Sequence, residues 1–221
     1  MHPSRFDNRH LPAVPALPVE ELHLWLIDLA RATPNPDFLN AGERDRAARY
    51  HFAIDRQRFI TRRAILRQLL GAYRGCEPAS IELSANAAGK LGVTGDLEFN
   101  LSSAGELALY GFCRGRAVGV DLAIVAPDFA WAEVAESFYH PAEVAYLRAN
   151  VPGRDFFRLW TIKEAFVKAT GGGLGSPLAR EDFTALLRGG QPVRELADGS
   201  RWEWAQWEPT ATTVAAVVVR V

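Results

Sequence analysis

The segment Arg158-Leu-Trp160-Thr-Ile-Lys163-Glu164-Ala-Phe166-Val-Lys168-Ala-Thr170 sets a carboxylate and an ammonium four residues apart. On a helix that spacing puts Glu164 and Lys168 one turn apart on a shared face. Such a carboxylate can take a proton or hold a hard metal ion. Such a lysine can neutralise charge on a phosphate. At about 100° per residue, Leu159, Ile162, Phe166 and Ala169 form one apolar arc, and Trp160 and Val167 a second. Glu164 and Lys168 fall between the arcs, with Lys163 nearby. A surface helix carries a single apolar stripe, so this pattern predicts charges lining a cleft. The alternative is a plain surface ion pair worth about 0.2–0.5 kcal/mol. A further acid, Asp121, lies inside the apolar run Ala117-Val-Gly119-Val-Asp121-Leu-Ala123-Ile124. Strand alternation gives Gly119, Asp121 and Ala123 one face. An acid in a buried strand needs a metal, a cation or a structural hydrogen bond.

The elements that must position these groups are legible from periodicity and punctuation. The central helix is predicted over 153–170, stopped by the glycine-rich run 171–177. A first strand is predicted over 19–29, with mixed faces that imply burial on both sides. Helices are predicted over 38–50 and 55–74, the second with Asp55 as N-cap and Gly71 or Gly75 as stop. Short strands are predicted at 81–84, 97–102, 107–112, 117–124, 201–208 and 211–220. Pro141 suits the first position of a further helix. The turn 103–106 carries hydroxyls and amides that suit a phosphate, or an ordinary hairpin.

Composition narrows the class. The chain has 221 residues, 48% of them hydrophobic, and a net charge of −1. That suits one globular unit or two small ones and argues against a dedicated nucleic-acid binder. Residues 1–18 hold four prolines and no apolar core, and read as a flexible leader rather than a signal peptide. Two cysteines without metal-ligand spacing point to a reducing, cytoplasmic setting. No apolar run is long enough to cross a bilayer. Of 25 basic residues only Lys90, Lys163 and Lys168 are lysine. Arginine fills the other basic positions, so two of three lysines on one helix point to a phosphate or proton-transfer role there.

Four features stand in order: Gly89-Lys90, Phe99-Asn-Leu-Ser102, Gly119-Val-Asp121 and Trp160-Thr-Ile-Lys163-Glu164-Ala-Phe-Val-Lys168. This set resembles the Sfp-type 4′-phosphopantetheinyl transferases over roughly residues 20–190. The resemblance implies an α+β fold of two similar α+β halves related by a pseudo-twofold. The division it implies is 19–115 for coenzyme A phosphate contacts and 116–221 for metal and catalysis. It implies transfer of phosphopantetheine from coenzyme A to a serine of an acyl- or peptidyl-carrier protein, with 3′,5′-ADP released. Asp121 and Glu164 match the ligands of Mg²⁺, with Mn²⁺ a second possibility, and Glu164 also the acceptor of the serine proton. Lys168 matches the lysine at the phosphate and leaving group. Arg63, Lys90, Ser102 and Ser103 match coenzyme A phosphate contacts, with Arg46, Arg58 and Arg62 competing for the arginine role. Trp160 and Lys163 match supporting positions. A monomer without nucleic-acid or membrane partners follows from the same reading.

The chain departs from that family at Ser103, where many members have His, and at Ala104, where many have a polar residue. It departs again at Ala123, where many have a metal-binding Glu, and at Leu91, where Pro is usual. These changes open the alternative of a non-catalytic or weakly active coenzyme A or carrier-protein binder. A polyanion-binding role for the arginine-rich helices is a third reading.

Overall fold

The structure is a computed structural model that describes residues 4–6, 13–33, 35–150, 152–172, 181–189, 193–196 and 198–221. Its first four-stranded sheet is built from β1 (Ser4–Phe6), β2 (His23–Asp28), β5 (Leu97–Ala104) and β6 (Leu107–Arg114), in the order β1-β2-β6-β5. Its second is built from β7 (Val118–Ile124), β8 (Val193–Glu195), β9 (Arg201–Thr210) and β10 (Thr213–Arg220), in the order β7-β10-β9-β8. All pairings are antiparallel except β1 with β2. A small hairpin joins β3 (Ser84–Ala85) to β4 (Leu91–Gly92).

Two long helices close the stack. Helix α2 (Ala53–Arg74) packs Ile65, Leu66, Leu69, Leu70 and Tyr73 onto Trp25, Ile27, Phe99, Tyr110 and Phe112 of the first sheet. Helix α5 (Pro152–Thr170) packs Phe156, Leu159, Ile162, Phe166 and Ala169 onto Trp202, Trp204, Val214, Ala216 and Val218 of the second. The inner faces of the sheets meet directly, Leu24, Leu26 and Leu109 against Val118, Val120, Leu122 and Val217. The order of layers is therefore helix, sheet, sheet, helix. The two-sided burial expected of the first strand follows from this, because its alternate residues enter different cores.

Some elements depart from expectation for local reasons. The first strand begins at His23, since residues before it form a turn in which the Glu21 amide donates to Pro18. The helix expected over 38–50 is α1 (Ala41–Ala48), set by a capping box between Asn40 and Glu43. Helix α2 starts with Phe52 at the N-cap and no side-chain cap, so Asp55 sits in its first turn instead. Of the strand expected at 81–84 only Ser84 is paired in a strand; a 3₁₀ turn over Pro78–Ser80 precedes it, and its carbonyls accept from Arg67. Part of the expected leader belongs to the sheet, since Ser4–Phe6 pairs with β2 and Leu17 is buried. Helix α3 (Trp131–Phe138) was not anticipated: Ala130 offers no capping side chain to mark its start. Helix α4 (Pro141–Ala149) does begin at the expected proline, capped by His140. Gly171 stops α5 with φ of 70°, and residues 173–177 of the glycine-rich run lie outside the described residues.

The packing of α5 on β7 requires a residue without a side chain. A Cβ on Gly119 would lie 1.9 Å from the Ala165 carbonyl oxygen and 2.4 Å from the Ala169 nitrogen. Both obstacles are helix backbone, so α5 itself would have to move. Gly119→Ala is expected to lower stability by about 3 kcal/mol, the upper part of the range for overpacking, measured by urea unfolding. A change within about 0.5 kcal/mol, the scatter of ordinary surface substitutions, would mean the helix is not pressed onto the strand.

Candidate active site

β7 is an edge strand: it pairs with β10 alone, so alternate amides point away from the sheet. Unpaired edge amides must find acceptors when buried. β5 supplies them. Its residues Phe99 and Leu101 face α2, and alternation turns Asn100 and Ser102 toward β7. Asn100 Oδ1 accepts the Val120 amide at 2.9 Å, and Ser102 Oγ accepts the Leu122 amide at 3.3 Å.

Between these two amides the strand turns Asp121 to the α5 side, where it is 4% exposed. Its Oδ1 accepts from Ser102 Oγ at 2.8 Å and from Lys168 Nζ at 2.5 Å. Lys168 also donates to Ser102 at 3.2 Å. Burial pushes the Asp121 carboxyl above its ordinary range, and the Lys168 ammonium and its hydrogen bonds pull it back. Glu164, one helical turn before Lys168, is half-buried and opens onto a cleft. Its proton affinity is raised by burial first, lowered by Lys168, and raised by the negative charge of Asp121. The helix and strand acids thus sense one another through space, with Lys168 acting on both.

The cleft encloses about 560 Å³, within the range of small-molecule sites. Its walls bring Arg46 and Arg63 from the α1–α2 side, Lys90 from the β3–β4 hairpin, Asn100 from β5, and Glu164 and Lys168 from α5. The lining carries four cations against one carboxylate, a balance that suits an anion. A second cleft, of about 740 Å³, lies between α4 and α6 (Thr184–Leu187). It is larger, but its cation, Arg188, lies over the Tyr146 ring and it has no carboxylate–lysine pair like that on α5.

The expected site residues fall into three groups. Glu164, Lys168, Lys90 and Arg63 share the cleft, and Asp121 is tied to it by Lys168. Arg63 is held by Glu43 at 3.4 Å and lies over Phe59, beside Arg46. Lys90 is more committed than expected. Its Nζ donates to Val118 O at 3.2 Å and Ala169 O at 3.0 Å, joining the hairpin to β7 and to the end of α5. One of its three donors remains for a ligand.

Ser102 and Ser103, expected as phosphate contacts, have their hydroxyls engaged within the protein. The Ser102 hydroxyl gives its single hydrogen to Asp121 and accepts from Leu122 and Lys168, which exhausts its capacity. Ser103 faces the other way and accepts from Arg62, outside the cleft lining. Lys163 was expected in a supporting place and lies away from the cleft. One residue from Glu164, it points about 100° around the helix and pairs with buried Glu143 at 2.8 Å. It donates to the Glu181 carbonyl at 2.9 Å and lies over the rings of Tyr139 and Phe183. Trp160 packs on Phe156 at a ring distance of 6.1 Å. Both residues fix the helix rather than line the cleft. Arg46, named beside Arg58 and Arg62 as a competitor of Arg63, lines the cleft with it; Asn100 and Glu43 were not anticipated as site residues, and the alternation of Asn100 with Ser102 was the one signal available.

The Lys163–Glu143 pair is fully buried, and Glu143 also accepts the Phe183 and His140 amides. Lys163→Met leaves that carboxylate without its cation and is expected to cost about 3–5 kcal/mol. Adding Glu143→Gln removes the stranded charge and keeps an oxygen for one of the two amides, so the double variant should recover part of the loss. Denaturant unfolding of the four members of this cycle measures it; simple additivity would show that the pair is not coupled.

Comparison with known proteins now places the chain. A profile described as the 4′-phosphopantetheinyl transferase superfamily matches residues 117–218. The protein named 4′-phosphopantetheinyl transferase HetI, from Nostoc sp., is 34% identical over 95% of this chain and 92% of its own length. A phosphopantetheinyl transferase of Thraustochytrium sp. is 30% identical over 83% of this chain and 72% of its own. The 4′-phosphopantetheinyl transferase Sfp of Bacillus subtilis is 26% identical over 73% and 72%. With identity at this level across nearly the whole of one such relative, and with the matched region containing both Asp121 and the Glu164–Lys168 turn, the chain belongs to the 4′-phosphopantetheinyl transferase superfamily.

Proposed function

We propose that this protein transfers 4′-phosphopantetheine from coenzyme A to a serine hydroxyl of an acyl- or peptidyl-carrier protein and releases 3′,5′-ADP. The observation that carries the reading is the Asp121–Lys168 pair, one helical turn from Glu164, in a cleft walled by Arg46, Arg63 and Lys90. Relatives that align over most of the chain bear the name of this activity. No observation favours the non-catalytic alternative.

The chemistry assigns each group a task. Coenzyme A is bound through its phosphates by Arg63, Arg46 and the remaining donor of Lys90. Glu164 accepts the proton of the carrier serine, directly or through water; burial suits it by raising its affinity for a proton. The serine oxygen forms a bond to the phosphorus that bears the pantetheine arm. The bond from that phosphorus to the bridging oxygen breaks, and the electron pair leaves with 3′,5′-ADP. Lys168 balances the charge that develops there.

The residues fit a divalent cation of the Mg²⁺ or Mn²⁺ kind. Asp121 and Glu164 are hard oxygen donors, and among the described residues no cluster of three or more His, Cys, Asp or Glu is arranged for a metal. Two carboxylates completed by substrate oxygens and water are what Mg²⁺ accepts. Bound there, the ion would neutralise the pyrophosphate. The two sheet-and-helix layers, divided near residues 113–118, are read as halves related by a pseudo-twofold. A cytoplasmic monomer acting on coenzyme A and a carrier protein, without nucleic acid or membrane, completes the reading. No helix among the described residues is long and apolar enough to cross a membrane.

Mass spectrometry of an apo carrier protein incubated with enzyme, coenzyme A and Mg²⁺ should show the added phosphopantetheine mass. No addition on several diverse carriers would overturn the proposal. Glu164→Gln should lower turnover by about 10²–10⁴-fold, the usual contribution of a general base, with little change in melting temperature. Full activity in that variant would remove Glu164 from the proton transfer.

A further inference from the structure

The free edge of β7 is closed by side chains at three successive edge-facing residues. Asn100 takes the Val120 amide and Ser102 the Leu122 amide. At Val118 the edge group is a carbonyl, and Lys90 Nζ donates to it at 3.2 Å. The same ammonium donates to Ala169 O at 3.0 Å. Ala169 lies in the last turn of α5, where carbonyls lack a partner within the helix and a cation is favoured. Lys90 therefore joins the strand that carries Asp121 to the residue beside Lys168. A lysine stem is long and flexible, so its reach depends on where its backbone starts. Asn86 sets that start. Its Oδ1 accepts the Ala88 amide at 3.0 Å and the Lys90 amide at 2.9 Å. Its carbonyl accepts from Gly89, and its own amide donates to Lys90 O, both at 2.9 Å. The turn also rests on the end of α5: a Cβ on Gly171 would lie 2.9 Å from Asn86 Nδ2.

We infer that Asn86 is a positioning residue: it shapes the turn that delivers the Lys90 ammonium to the junction of β7 and α5, and so holds Asp121 and Lys168 in register for the transfer. This deepens the proposed function and rests on it. Asn86 is exposed and does not line the cleft, so it acts through Lys90 rather than on a substrate. Leu83, Leu91 and Val93 tie the base of the hairpin to the core under α2. Residues 84–89 are all exposed, so apolar burial does not set the path of the tip. The hydrogen bonds that end on Asn86 set it instead. Asparagine suits that task, because its side-chain oxygen takes turn amides as a backbone carbonyl would. The hairpin is thus rooted in one sheet-and-helix layer and fastened to the other by a single ammonium.

A double-mutant cycle separates action through Lys90 from a general loosening of the hairpin. Asn86→Ala removes the accepting oxygen, Asn86→Asp keeps it, and Lys90→Met keeps the stem while removing the ammonium. Each variant is assayed for transfer of phosphopantetheine to a carrier protein and for melting temperature. Asn86→Ala is expected to lower kcat/KM by about tenfold, as for one or two hydrogen bonds lost, and the melting temperature by about 2–4 °C. Asn86→Asp should restore most of both. The double variant Asn86→Ala, Lys90→Met should transfer within twofold of Lys90→Met alone, because the first change has nothing left to misplace. Additive losses in the double variant, or Asn86→Ala transferring within twofold of the parent, would overturn the inference. The melting cycle needs neither coenzyme nor carrier, so it tells the two readings apart. Non-additive melting shifts with a parent that transfers nothing would remove the proposed function and leave the Asn86–Lys90 fastening in place. Additive melting shifts with an active parent would remove the fastening and leave the function.

Discussion

A carboxylate held at 4% exposure on an edge strand is the constraint around which the rest of this structure is arranged. Removing an ionised acid from water costs several kcal/mol, so Asp121 persists only with partners in place. Lys168 reaches it from the helix and Ser102 from the neighbouring sheet. For Lys168 to reach, α5 must lie against β7, and Gly119 is what permits that approach. For Ser102 to reach, β5 must lie beside the free edge of β7, and Asn100 ties it there. One acid thereby fixes the relation of both sheets and the helix. Burial raises its affinity for a proton, and the Lys168 ammonium and the hydrogen bonds oppose that.

The same economy governs the cations. Several basic groups of the interior have counter-charges of their own: Arg67 with Glu43, and Lys163 with Glu143. Glu43 also restrains Arg63, yet that guanidinium still lines the cleft with Arg46, Lys90 and Lys168. The pairs on the far sides of α2 and α5 anchor those helices, while the groups facing each other across the cleft are left in excess. A cleft with surplus positive charge and apolar backing concentrates an anion, because the charges are less screened there than in water.

Much of the framework is legible in the chain. Period-two runs mark β5, β6, β7 and β10, and the periodic pattern before Gly171 marks α5. The two apolar arcs of α5 imply that the charges between them line a cleft, and Glu164 and Lys168 do line one. What periodicity does not carry is the identity of the surroundings on each side. Lys163 and Glu164 are adjacent in sequence and both charged, but one meets Glu143 in a core and the other meets the cleft. The partner that decides this lies twenty residues earlier, on α4. Ser102 is similar: its residue type suits a phosphate, and only the distant Asp121 and Lys168 show its hydroxyl to be fully used. Helix α3 has no side-chain cap to mark its start, and only the helical spacing of Trp131, Val134, Ala135 and Phe138 announced it. Local rules found the elements, and contacts distant in sequence sorted the side chains.

The positions at which the chain departs from its relatives' common pattern can be judged on the same physical footing. Ala123 shares a face with Asp121 but packs against the apolar core under α5, so the strand offers one acid there and no polar seat for another. Asp121 and Glu164 consequently carry the acidic side of the site between them. Ala104 packs where the two sheets meet, a place that rewards a small apolar residue. At Ser103 the lost imidazole is answered in a different way. Arg62 donates to the serine hydroxyl, so this corner of β5 keeps a positive charge. The substitutions remove groups from the strands but leave the balance of the cleft cationic, with the Glu164 carboxylate still one turn from Lys168.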